Sequence, residues 1–165
     1  MRPLALAAAG LAALVLALGV FGDKGLTSIQ GDAVGPETRE TKTQYVERAE
    51  DALAMTAAPG YAMVAFKYPL RPDQAARAVD GVQRVGAMFA PDTGLVPLPE
   101  PVAGTGRADV LSTALGTNAG GLSAVVIFDT PEAMRAIAQR GEVLAVEPAP
   151  ADSAWGAFAV RPPNF

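Results

Sequence analysis

Leu122-Ser-Ala-Val-Val-Ile-Phe128-Asp129-Thr130-Pro131-Glu132-Ala-Met134-Arg-Ala-Ile137-Ala138-Gln-Arg140-Gly141-Glu-Val143-Leu-Ala-Val146 decides the fold class of this chain. Leu122 to Phe128 has strand length and is rich in β-branched residues. Thr130 is a good N-cap, Pro131 suits the first helical position, and Glu132 places an acid in the first turn. Met134, Ile137 and Ala138 then recur at helical spacing, so one side of the predicted helix is apolar. Arg140-Gly141 stops it, and Val143 to Val146 reads as the next strand. The segment is a β-α-β unit.

The same order of events occurs earlier. Tyr61 to Tyr68 is an apolar and aromatic run of strand length. Arg71-Pro72-Asp73 opens a helix that runs to about Asp80, with Gly81 as its stop and Ala75, Ala76, Val79 and Val82 as its inward stripe. Gln83 to Phe89 is the following strand. Even the spelling is shared, AARAV at Ala75–Val79 against AMRAI at Ala133–Ile137. Two such units predict an α+β domain, a ferredoxin-like βαββαβ sandwich over residues 60–162 with both helices on one sheet face. Two unrelated β-α-β pieces in a parallel sheet are the alternative. Trp155 to Arg161 alternates in a way that predicts an extra C-terminal edge strand.

Outside the repeat, Arg2 precedes an uncharged apolar run from Leu4 to Phe21. As a helix it is about 27 Å long, close to the thickness of a hydrocarbon core. Residues 1–22 therefore read as a transmembrane anchor or a signal peptide. With Arg2 on the cytoplasmic side, the rest of the chain lies outside, as a single-pass membrane protein or as a protein secreted after cleavage. Residues 23–35 carry several glycines and no periodicity and read as a flexible linker. Gly35-Pro36 then opens an amphipathic helix over 36–56, with Tyr45, Val46, Ala49, Ala52 and Leu53 on one stripe. It is either docked on its own domain or a partner-binding stalk.

Composition removes whole classes of chemistry. The 165-residue chain has 13 basic and 17 acidic residues and a net charge of −4, the wrong sign for a nucleic-acid binder. It has no histidine and no cysteine, which excludes Ser-His-Asp and Cys-His catalysis, His/Cys metal sites and disulfides. Four serines, Ser28, Ser112, Ser123 and Ser153, lie in no nucleophile motif. Gly104-Thr-Gly-Arg107 and Gly116 to Gly121 match neither a dinucleotide fingerprint nor a P-loop. We thus expect no catalytic residue, no cofactor and no metal. Ten arginines against three lysines, with abundant alanine, fit a GC-rich bacterial genome.

The two halves are joined by an insertion over 90–121, where only Arg107 to Leu115 reads as a helix. So long a connection in a small domain is often functional. Pro97, Pro99, Arg107, Asp109 and Asn118 form the expected interaction loop, and Trp155 is the expected surface aromatic. Asp92, Glu100 and Asp109 supply carboxylates to the same insertion, which leaves a carboxylate-based envelope hydrolase as one alternative function.

Residues 122–148 resemble the second half of subtilisin-type propeptides and related protease inhibitors. Thr130-Pro131-Glu132 and Val146-Glu147-Pro148 are the matching residues. The resemblance implies a ferredoxin-like fold and a protease-inhibitor or propeptide-like role, in which the C-terminal tail enters a protease cleft. The reading preferred from the sequence is a non-enzymatic, extracytoplasmic binding or interaction domain of the bacterial cell envelope. It is attached to the membrane through residues 4–21 and binds an envelope protein or ligand.

Overall fold

A computed structural model of the chain describes residues 33–91, 93–117 and 120–165. The predicted leader over 1–22 and most of the linker lie outside the described residues. No helix among the described residues is long and apolar enough to cross a membrane.

The strands are β1 (Ala33–Val34), β2 (Gly60–Leu70), β3 (Arg84–Ala90), β4 (Gly94–Pro97), β5 (Leu122–Asp129), β6 (Val143–Pro148) and β7 (Ala159–Val160). The helices are α1 (Lys42–Met55), α2 (Pro72–Ala78), α3 (Arg107–Leu115) and α4 (Pro131–Ala138). Five strands form one antiparallel sheet in the order β4-β3-β5-β2-β6. The mixed α+β architecture and the inner order β3-β5-β2-β6 are compatible with a ferredoxin-like fold. The parallel-sheet alternative does not hold, because each neighbouring pair in this sheet is antiparallel.

The local signals act where the residues place them. The Thr130 hydroxyl accepts the Ala133 N–H at 3.3 Å and Pro131 opens α4, a cap worth about 1 kcal/mol. Met134 and Ile137 of α4, Ala75 and Ala78 of α2 and Leu111 of α3 pack on Ala62, Val64, Phe66, Met88, Val125, Ile127 and Val146 of the sheet. The helical face is thus the main core. Asp129, only 3% exposed, ties the two halves together. Its carboxylate accepts the N–H groups of Gln83 at 2.9 Å and Thr130 at 2.7 Å, joining the entry to β3 with the start of α4.

Three expectations need correction. The first is the start of the N-terminal helix. It begins at Lys42, not Pro36, because Arg39 has a left-handed φ of 72° and Thr41 forms a capping box with Gln44. Thr41 donates its N–H to Gln44 Oε1 at 3.0 Å and accepts the Gln44 N–H at 3.3 Å. The nearer, stronger cap overrides Gly35-Pro36.

The second is the C-terminal edge strand. Only Ala159–Val160 is extended, and it pairs in parallel with Ala33–Val34, apart from the main sheet. The β6 edge is already covered by α1. Ala33 to Gly35, counted with the linker in the sequence, belong to the fold through this pairing.

The third is the insertion, expected to add little to the core. Gly94–Pro97 instead forms a hairpin with β3, and Leu98 and Leu111 are buried in the main core. Leu111→Ala should therefore lower stability by about 2–5 kcal/mol. Val102→Ala, at a side chain 71% exposed, should stay within about 0.5 kcal/mol. Urea unfolding of both variants measures this, and equal midpoints would remove α3 from the core.

Candidate functional site

The insertion builds a groove rather than a loose loop. α3 starts where Asp109 Oδ2 accepts the Gly106 N–H at 2.7 Å, an acid at the third helical position closing the first turn. Leu111 turns into the core, which leaves the pairs Asp109/Thr113 and Val110/Ala114, each four residues apart, on the side toward the chain arriving from β4. Val96, Pro97, Pro99, Glu100, Val102 and Thr105 form the opposite wall of a solvent-open groove of about 490 Å³. Glu100 is fixed at its own end: Oε1 accepts the Val85 N–H at 3.3 Å, and Arg84 and Arg107 stand at 3.8 Å.

Pro97, Pro99 and Asp109 are thereby brought to one groove. Arg107 is not among the groove's walls. It donates to the carbonyls of Val79 and Val82, both at 3.3 Å, and so closes the C-terminal end of α2. A cation near the negative end of a helix is favoured there over an open surface. Asn118 lies outside the described residues, as does Asp92. Val102, Val110 and Ala114 were missed from sequence. For Val110 and Ala114 the signal was the i, i+4 spacing within Arg107–Leu115, whereas Val102 sits in irregular chain with no periodicity to mark it.

Trp155 is 39% exposed, so it is a surface aromatic, and one edge of its ring packs on the domain. Its ring lies 5.4 Å from Tyr61 and 6.4 Å from Phe158, and its edge covers Gly86. A Cβ at position 86 would stand 3.2 Å from the indole, so the glycine permits the close approach.

A second polar centre emerges that the sequence did not flag. Glu147 is 3% exposed. Its Oε1 accepts from Arg48 at 2.6 Å and its Oε2 accepts the Gly35 N–H at 2.6 Å. Arg48 also donates to both carboxylate oxygens of Glu40, at 2.8 and 3.0 Å, and to the Gly35 carbonyl at 3.1 Å. Burial raises the Glu147 carboxyl above its ordinary value of 4.5, against the opposing pull of Arg48 and the Gly35 N–H. The hydrogen bond from Arg48 holds Glu40 below the ordinary range. The Tyr45 hydroxyl is buried beside Glu147, and burial followed by that negative charge pushes its pKa upward. This centre lies at the seam between α1, β1 and β6, with Arg48 and Glu147 on the wall of a surface groove.

No group of three or more His, Cys, Asp or Glu residues among the described residues could hold a metal. No family model matches the chain, and neither a curated protein nor a solved structure shows significant similarity to it.

The Glu147 centre has a pH signature. A raised folded pKa means that the folded chain holds this proton more tightly than the unfolded one. The contribution is complete below the ordinary value of 4.5 and is lost as pH rises through the folded value. Glu40 has the opposite sense, adding stability above its ordinary range that is lost as pH falls. Glu147→Gln should therefore gain on the native protein as pH rises above about 4.5, in urea unfolding at a series of pH values. Glu147→Ala, which leaves the Gly35 N–H without its acceptor, should cost about 1–3 kcal/mol. A pH-independent difference between native protein and Glu147→Gln would refute the raised carboxyl.

Proposed function

We propose that this chain is an extracytoplasmic, membrane-anchored binding domain of the bacterial cell envelope, non-enzymatic, and built on a ferredoxin-like βαββαβ scaffold. Its recognition surface is the groove of the 90–121 insertion. The observation that carries this reading is the exposure of apolar side chains on a rigid frame. Val102, on the wall of the groove, is 71% exposed, while Leu98 and Leu111 anchor the same segment in the core. Recognition residues on loops held by a scaffold are a common arrangement, and a volume of about 490 Å³ suits a few side chains of a partner. The leader, Arg2 followed by the uncharged run Leu4–Phe21, supports the membrane tether and the outside location.

The course of the tail supports this reading over a propeptide-like inhibitor. Beyond Pro148 the chain turns back on its own domain: Ala149 donates to the Tyr61 carbonyl, Trp155 covers Gly86, and Ala159–Val160 pairs with β1. A tail used to enter a protease cleft would have to leave these contacts.

Two measurements test the proposal. A reporter fused after Phe165 should be active only on the outer side of the cytoplasmic membrane, and activity confined to the cytoplasm would overturn the location. A photo-crosslinking residue at Val102 should capture one envelope partner in intact cells, whereas the same residue at the exposed Glu50 of α1 should not. Equal capture at both positions would remove the groove from the reading.

A further inference from the structure

The walls of the groove also define the chemistry of what can occupy it. Val96, Val102, Val110, Ala114, Pro97 and Pro99 are apolar, and the charged side chains lining it are both carboxylates, Glu100 and Asp109. The two differ in their surroundings. Glu100 has Arg84 and Arg107 at 3.8 Å, so its charge is partly offset. Asp109 has no ion pair among the described residues, and its Oδ2 is held by the Gly106 N–H while Oδ1 carries no hydrogen bond there. That bond fixes the carboxylate in place at the helix start, so a cation meeting Oδ1 would not have to order it first. An anionic segment would be repelled by this carboxylate, and a purely apolar one would leave it uncompensated at the edge of the contact.

We infer that the groove takes a short apolar peptide segment of a partner protein that carries one basic side chain, with the cation on Asp109 Oδ1 and the flanking apolar side chains against Val102, Val110 and Ala114. This inference rests on the groove being the recognition surface. Selection for a cation here is electrostatic and partly solvated, so its effect on affinity is modest and falls with salt.

The test is an NMR titration of the full-length chain in lipid nanodiscs with the peptide acetyl-Gly-Ser-Leu-Val-Arg-Val-Gly-Ser-amide and with versions in which the arginine is replaced by glutamate or leucine. The arginine peptide should shift the amide signals of Val102, Asp109, Val110 and Ala114. It should bind about three- to five-fold more tightly than the leucine version at low salt, with the glutamate version weakest. Asp109→Asn keeps an oxygen to accept the Gly106 N–H but removes the charge. In that variant the preference for arginine should vanish while the leucine peptide binds as before. If all three peptides shift the groove equally, or if Asp109→Asn keeps the arginine preference, the cationic partner is wrong while the groove stands as a binding surface. If no peptide shifts the groove signals, both the partner class and the groove reading fall.

Discussion

The buried carboxylate of Glu147 is the interaction on which closure of this domain depends. A carboxylate at 3% exposure needs partners on every side, since an uncompensated buried charge is costly. Arg48 supplies one from α1 and the Gly35 N–H supplies another from the segment after β1. Each partner comes from a different piece of chain, so satisfying the charge joins α1, β1 and β6. Gly35 is held there with a φ of 105°, and a Cβ would collide with the Arg161 carbonyl. Arg161 in turn donates to the Val34 carbonyl at 2.8 Å, which brings the C-terminal tail into the same seam.

That seam matters because the sheet is apolar on both faces. The helical face is covered by α2, α3 and α4. The other face presents Met63, Ala65, Ala87, Phe89, Ala124, Val126 and Ala145, all buried. Among the described residues, no full helical layer covers it. Val34, Tyr45, Ala49, Ala149 and Phe158 do so instead, drawn from β1, α1 and the tail. The alanines and Gly86 make this possible, because short side chains let an irregular segment approach the sheet closely. Arginines complete the frame. Arg107 and Arg140 both donate to carbonyls at the end of α2, and Arg135 donates to those of Leu53 and Thr56 at the end of α1. Each cation meets the negative end of a neighbouring helix and links two elements at the same time.

The proposed recognition surface is compatible with this construction. Its two walls are tied into the core through Leu98 and Leu111, and its carboxylates are oriented by backbone N–H groups of Val85 and Gly106. A surface held in this way loses little conformational freedom on binding. The exposed apolar side chains are therefore a feature of a rigid segment, which is the condition under which they can serve selectivity.

Much of this was legible in the residues alone. Thr130-Pro131-Glu132 and Arg140-Gly141 marked α4, the period of Met134 and Ile137 marked its buried side, and the apolar runs at Tyr61–Tyr68 and Leu122–Phe128 marked two strands. Caps, turns and periodicity are short-range effects, so they are written within a few residues of where they act. The helix at Arg107–Leu115 was read for the same reason. What those residues could not state was which distant groups they would meet. Arg107 and Asp109 are two positions apart, yet one closes the end of α2 and the other lines the groove. Glu147 looked like one acid among 17, and only the folded chain places Arg48, 99 positions away, against it. The apolar runs Ala62–Phe66, Val85–Ala90 and Ala124–Phe128 within β2, β3 and β5 did carry a sign that both sheet faces are buried. It did not say what would cover the second face, because that depends on long-range contacts: the parallel pairing of β1 with β7 and the packing of a tryptophan on a glycine 69 residues earlier (Gly86 to Trp155). The sequence by itself determined the four helices, apart from the start of α1, and the strands β2, β3, β5 and β6 in their order. The tertiary structure decided the pairing of the chain ends, the partners of the buried charges and the walls of the groove, since each arises where segments far apart in the chain are brought together.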